Sequence, residues 1–174
     1  MKFIPLTQGL FTQVDDEDFN DLNQFKWHIV KAPYTYYAVR AVPSLDKVSK
    51  NRQIKLRMHR VIMNPSNEME VDHRDGDGLN NQKANLRICT SSQNMYNRRA
   101  AGRSKYLGVS IIHSSAGYNY IRAGIRVGSV ILRLGNFKTE EDAARAYDIA
   151  AWVYHREFAN LNFKKEWQSL ISPS

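Results

Sequence analysis

Cysteine is nearly absent: Cys89 is the single one among 174 residues. One thiol can neither close an internal disulfide nor supply a zinc site built from several thiolates. Its expected place is a small apolar position in a core. Long apolar runs are also missing, so no segment reads as a membrane span. The opening MKFIPLTQGLF lacks a sustained apolar stretch and a small-residue cleavage site, and does not read as a signal peptide. These absences predict an intracellular, soluble protein. Its length allows one ordinary domain or two small ones.

The third absence is of acid. Between Asp77 and Glu140 there is no carboxylate side chain, while Lys83, Arg87, Arg98, Arg99, Arg103, Lys105, Arg122, Arg126, Arg133 and Lys138 all fall there. Over the whole chain the formal net charge is +8. Cations so placed repel one another unless a polyanion lies against them, and neutralising phosphates releases counterions. Nucleic acid is the natural partner; a merely solvated basic face is the competing explanation.

What is present divides the chain. Residues 1–57 read as short strands around one helix. In VDDEDFNDLNQFKW the acids mark a helix start, with Phe19, Leu22 and Phe25 on one side. The cluster Asp15, Asp16, Glu17 and Asp18 is read as a charged first turn rather than a metal site. YTYYAVRAV and RQIKLRMHRVIM alternate as strands do and bracket PSLDKVSKN, which predicts a hairpin. TSSQNMYNRR reads as a helix capped by Thr90 or Ser91, and residues 100–104 as a basic linker. From Tyr106 three alternating runs follow. Ile121, Ala123, Ile125 and Val127 share one face, as do Val130, Leu132 and Leu134 on the next strand. Arg122, Arg126, Ile131 and Arg133 face the other way. Thr139 and Asp142 form a capping-box-like start, with Ala143, Tyr147, Ala150 and Tyr154 at helical spacing. One helix can thus cover a three-stranded antiparallel sheet and leave its arginine face open to a DNA groove.

The densest chemistry lies in VDHRDGDGLNNQKANLRICTSSQN, Val71 to Asn94. A carboxylate beside an imidazole, as in Asp72-His73, suits phosphodiester hydrolysis: one holds a hard cation, the other takes a proton from water. Neighbours on a strand point oppositely, so both serve one site only where the strand bends or ends. Gly76 and Gly78 permit that departure. A calcium loop starting at Asp72 fails, since it would need a ligand at Arg74 and a glutamate at Lys83.

Met58-His59-Arg60, followed by VDHRDGDGLNNQKANLR and SSQN, resembles the HNH homing endonucleases of phage, in the subgroup with asparagine replacing the final histidine. The resemblance covers roughly residues 57–99 and implies a ββα-metal fold. It implies His73 as general base, Asp72 and Asn94 as metal ligands, and Asn85 as the central asparagine that ties the loop and steadies the histidine. His59 matches an upstream histidine of the same pattern. An amide oxygen at Asn94 suits one magnesium or manganese ion better than zinc. With so few protein ligands, water and DNA phosphate must complete the coordination.

KYLGV, YIRAGIRV, LGNF, TEEDAARAYDIAA and FANLNF resemble the Apetala-type, ethylene-response-factor DNA-binding domain over residues 105–163. That resemblance implies a three-stranded sheet in the major groove with a helix behind it. Arg126 stands where that family contacts DNA, and Arg133 where it often has tryptophan. Leu107, Ser110 and Ile112 replace contacting arginines, so the plant target sequence does not transfer. Arg122 joins the candidates from periodicity.

The expectation is therefore an α+β chain. A nuclease domain over 1–99 has a β-rich part at 1–57 and a ββα-metal motif at 58–99. The linker 100–104, a DNA-binding domain at 105–163 and a tail at 164–174 follow. The expected activity is metal-dependent cleavage of double-stranded DNA by a homing-type enzyme, a monomer, in the cytoplasm of a bacterial host if phage-borne. His73 would activate water. Arg122, Arg126 and Arg133 would read DNA, and Arg98, Arg99, Arg103 and Lys105 would hold phosphates. A DNA-binding regulator with a decayed nuclease half is the alternative. An RNA-binding module is weaker, because no aromatic sheet motif of that type is present.

Overall fold

The computed structural model describes residues 1–44, 53–97, 102–114 and 117–171. They fall into two units, Met1–Ser91 and Ser92–Ser174.

In the first unit, β1 (Lys2–Pro5) and β2 (Phe11–Val14) pair antiparallel, Lys2 opposite Val14 and Pro5 opposite Phe11. Helix α1 (Asp16–Asn23) follows with Asp16, Glu17 and Asp18 in its first turn, where negative charge meets the positive end of the helix dipole. Lys83 Nζ lies 2.5 Å from Glu17 and 3.1 Å from Asp18. Asp15 accepts from the Lys83 amide at 2.8 Å and from Gln82 at 2.9 Å. The acids therefore fasten the 82–83 turn. Phe19 and Leu22 reach the core. Phe25 does not: the helix stops at Asn23, and Phe25 lies exposed under the Arg40 guanidinium, 3.7 Å from the ring centre. Its expected place beside Leu22 is corrected.

Strands β3 (His28–Lys31), β4 (Tyr36–Pro43) and β5 (Gln53–Arg57) form an antiparallel sheet in that order. Residues 45–52, on which most of the expected hairpin connection falls, lie outside the described residues. A second correction concerns Met58–Met63, read above as strand but folded as α2. Met58 and Ile62, one helical turn apart, both enter the core of Ile4, Leu6, Val14, Leu22, Trp27 and Ala38. Asn64 closes the helix in the left-handed region, φ 41°, its amide donating to the Arg60 carbonyl at 3.0 Å. The unit ends with the antiparallel pair β6 (Glu70–His73) and β7 (Leu86–Cys89). Cys89 is fully buried, and burial raises its thiol pKa to about 11.

Helix α3 (Ser91–Tyr96) opens at the boundary between the units. In the second unit β8 (Val109–His113), β9 (Asn119–Val127) and β10 (Val130–Phe137) make an antiparallel sheet with β9 central. Helix α4 (Glu140–His155) packs on one face, its first turn capped by Thr139 Oγ1 accepting from the Asp142 amide at 3.1 Å. Ala143, Ala144, Tyr147, Ala150 and Ala151 meet Val109, Ala123 and Ile125. Gly108, at φ +71°, is required here, because a Cβ would sit 1.8 Å from the Tyr147 ring. Tyr154 is half exposed, against expectation; the buried residue at that end is His155. Val130 is likewise exposed at the start of β10, and the ladder shifts register between Arg133 and Gly135. The segment expected as a tail begins with a further helix, α5 (Lys164–Ile171). Among the described residues no helix is long and apolar enough to cross a membrane.

Candidate active site

Strand β6 ends at His73, its last paired residue, which stands opposite Leu86 in the ladder. The chain turns at once: the Gly76 amide donates to the His73 carbonyl at 3.0 Å, with Gly76 at φ +76°. Asp72 sits opposite Arg87 in the β6–β7 ladder. Arg87 Nε and Nη2 both donate to Asp72 Oδ2, at 2.8 and 2.6 Å, and both side chains are buried. This pair is strong because it is charged on both sides and shielded from water. It also removes Arg87 from the cations facing a partner, and Lys83 is similarly occupied by Glu17 and Asp18.

His73 has different neighbours. Its ring centre is 5.0 Å from that of His59, edge to face, and 5.8 Å from that of Tyr37. Tyr37 also meets His59 edge-on at 5.4 Å. Both imidazoles are 4% exposed. Burial pushes the His73 pKa below its ordinary value, outweighing the contact with Asn81 and the carboxylates of Asp75, Asp72 and Asp77. Burial, with the His73 charge second, pushes His59 to about 3. Two imidazoles this close cannot both be cations, and at neutral pH neither is. Burial pushes the Tyr37 pKa up, so its hydroxyl keeps its proton.

A neutral imidazole needs a defined tautomer, and one residue in contact with it is not among those expected. Asn81, fully buried, places Oδ1 at 3.4 Å from His73 Nε2. Periodicity could not select Asn81 from the adjacent pair Asn80-Asn81; only the fold of the loop does.

Asn85 ties that loop. Its Nδ2 donates to Asp75 Oδ1 and to the Asn80 carbonyl, both at 2.9 Å, and its Oδ1 accepts from the Asp75 amide at 3.1 Å. Asp75 Oδ1 also accepts from the Asp77 amide at 2.8 Å, and Oδ2 from Asn80 at 2.8 Å. Burial opposes the Asp75 charge, but these donors outweigh it and lower its pKa. Gly78 is needed at the loop crest, where a Cβ would lie 2.3 Å from the Tyr36 carbonyl.

Asn94 lies half-buried on α3, with Tyr96 of the same helix stacked on His155 at 3.6 Å. On the sheet of the second unit, Arg122, Arg126 and Arg133 share the face away from α4. Arg122 stands opposite Ser110 and Asn136, Arg126 opposite Ile131, and Arg133 opposite Gly124. Arg126 and Arg133 are exposed, whereas Arg122 is half-buried, its Nη2 donating to Tyr120 Oη at 2.9 Å. Arg103 and Lys105 are exposed, and Lys105 Nζ lies 4.9 Å from the Tyr106 ring centre. Arg98 and Arg99 lie outside the described residues.

The sequence profile of the HNH endonuclease family matches residues 58–96, which run from α2 to the end of α3. A curated protein of Acanthamoeba polyphaga mimivirus, an uncharacterized HNH endonuclease, is 30% identical over 162 residues, 89% of this chain and 76% of that protein. No solved structure matches. The profile spans the β6–β7 pair and its loop, and the likeness to the viral protein extends over both units. The chain belongs to the HNH endonuclease family.

Proposed function

We propose that this HNH endonuclease is a metal-dependent, homing-type enzyme that hydrolyses phosphodiester bonds in duplex DNA, cutting with the HNH segment of residues 58–96 and recognising DNA through the β8–β10 sheet. One observation carries the chemistry. His73 is a buried imidazole held neutral at physiological pH, at the end of a strand, next in sequence to the carboxylate of Asp72. A neutral imidazole can accept a proton from water, as a general base must.

The donor chemistry fits a hard divalent cation. Asp72 offers carboxylate oxygen, and Asn94, at the position the family pattern gives to the last ligand, offers amide oxygen. The thiol of Cys89 is a soft donor, which a hard cation does not favour. Magnesium or manganese bound there would supply charge stabilisation at the phosphate and at the departing oxygen. The chain's own part is separate. Arg87 fixes the Asp72 carboxylate through its two donors. Asn85 holds the loop between β6 and β7, and His73 takes the proton from the attacking water.

Recognition is assigned to the arginine face of the second unit. Its support is the shared face of Arg122, Arg126 and Arg133, the exposed basic residues Arg103 and Lys105, and the resemblance of residues 105–163 to Apetala-type domains. Base-directed arginines would specify and phosphate contacts would position.

The deciding experiment compares the parent and His73→Ala for cleavage of supercoiled plasmid with magnesium and for binding to duplex DNA. The variant is expected to bind as the parent does and to cut roughly a hundredfold to ten-thousandfold more slowly. A parent that binds but never cuts with metal present would make the chain a DNA-binding regulator. A variant that cuts as fast as the parent would remove His73 from the mechanism.

A further inference from the structure

We propose that Thr12 and Asn81 form a positioning relay that fixes the tautomer of His73, so that the proton-accepting atom is Nδ1. The inference rests on His73 as the general base and adds two residues to its machinery. One of them lies on β2, outside the segment matched by the family profile.

The direction of the relay follows from donors and acceptors. Thr12 Oγ1 lies 2.7 Å from the Leu79 carbonyl, which can only accept, so the hydroxyl proton goes there. The hydroxyl oxygen is then an acceptor, and Asn81 Nδ2 donates to it at 2.7 Å. The same Nδ2 faces the Gly78 carbonyl at 3.4 Å, a second acceptor. The amide of Asn81 is thereby fixed against a flip, and the atom turned to His73 Nε2 is Oδ1. An amide oxygen accepts, so Nε2 carries the imidazole proton and Nδ1 keeps the lone pair. Thr12 and Asn81 are both fully buried, which raises the cost of reversing any member of the chain.

The backbone holds the relay in register. The Asn81 amide donates to the Gln13 carbonyl at 2.8 Å, and the Gln13 amide to the Leu79 carbonyl at 2.9 Å. Strand β2 thus grips the loop on both sides of Asn80. The N-terminal hairpin is a working part of the catalytic centre.

The test uses the full chain labelled with ¹⁵N-histidine. Long-range proton–nitrogen correlation distinguishes the protonated from the unprotonated ring nitrogen, and the resonance lost in His73→Ala assigns the signal among five histidines. The parent at neutral pH should show His73 with the proton on Nε2. Thr12→Val should mix the tautomers and lower kcat about tenfold to a hundredfold, the scale at which outer partners of site imidazoles act. KM for DNA should stay the same. Asn81→Leu should behave alike, and Thr12→Ser, which keeps the hydroxyl, should restore most of the rate. A parent His73 protonated on Nδ1 overturns the proposal even if neither variant folds. So do folded Thr12→Val and Asn81→Leu proteins that cut at the parental rate. If His73→Ala itself cuts normally, the base assignment falls first; if it is inactive while the parent tautomer is reversed, only the relay falls.

Discussion

Acid should loosen the first unit well before it protonates ordinary carboxylates. His59 is displaced from 6.5 to about 3 by burial and by the neighbouring His73, which is itself lowered. A depressed folded-state pKa means that the unfolded chain binds the proton first. The stability is complete above pH 6.5 and is lost as pH falls from there toward 3. Each unit of displacement is worth about 1.4 kcal/mol, so His59 alone withdraws about 2 kcal/mol between pH 7 and pH 5. His73 adds to the loss in the same direction. The measurement is urea unfolding of the parent and His59→Phe at both pH values. The phenyl ring can keep the edge contacts with Tyr37 and His73 but cannot titrate. With an m-value of about 1–3 kcal/mol per molar, the parent midpoint should fall roughly 1 M further than that of the variant. Comparing the two proteins removes every other titrating group from the difference, His155 of the second unit included. Identical pH sensitivity in the two proteins would refute the reasoning, for His59 would then be protonated in the fold or hydrated.

Arg87→Met should cost about 3–5 kcal/mol in urea unfolding, because it leaves the Asp72 carboxylate buried without its cation. Arg87→Lys should recover little, having lost the two-pronged grip on Oδ2. Plasmid cleavage should vanish with excess chelator and return with magnesium or manganese; cutting undiminished under chelation would rule out the Asp72 and Asn94 assignment, and so would an Asn94→Ala protein as fast as the parent. Arg126→Ala and Arg133→Ala should each weaken duplex binding by about 1–3 kcal/mol if they reach bases, whereas a phosphate contact would mainly flatten the salt dependence. Unchanged affinity and sequence preference in the double variant would move recognition off the sheet.

Local pattern made some of this legible and failed where distance along the chain decides. The β9 alternation was readable because one helix covers one face, so Ala123 and Ile125 are buried at a spacing of two. The Thr139 cap was readable because its partner, Asp142, is three residues away. Met58–Met63 misled because its alternation continued that of β5, while helix formation was decided by a core assembled from residues 4 to 38. Tyr154 misled because a helical stripe predicts a direction and not where the covered surface ends; the burial passes to His155, which bonds the Arg126 carbonyl at 2.7 Å.

The site divides along the same line. Asp72, His73 and Asn85 are candidates that the sequence offers because the motif writes them within a short run. Their partners are not written there. Thr12 lies 69 residues from Asn81, and Tyr37 reaches both imidazoles from another sheet. Charge reading shows the same limit from the other side. The acid-free stretch offers ten cations to a polyanion, yet Arg87 is occupied by Asp72, and Lys83 by Glu17 and Asp18, all acids that precede the stretch. Arg87, engaged with the buried Asp72 carboxylate, holds the β6–β7 pair together and releases no counterions from DNA. The salt dependence of DNA binding should therefore report the exposed cations of the second unit, with the buried Arg87 contributing to folding instead.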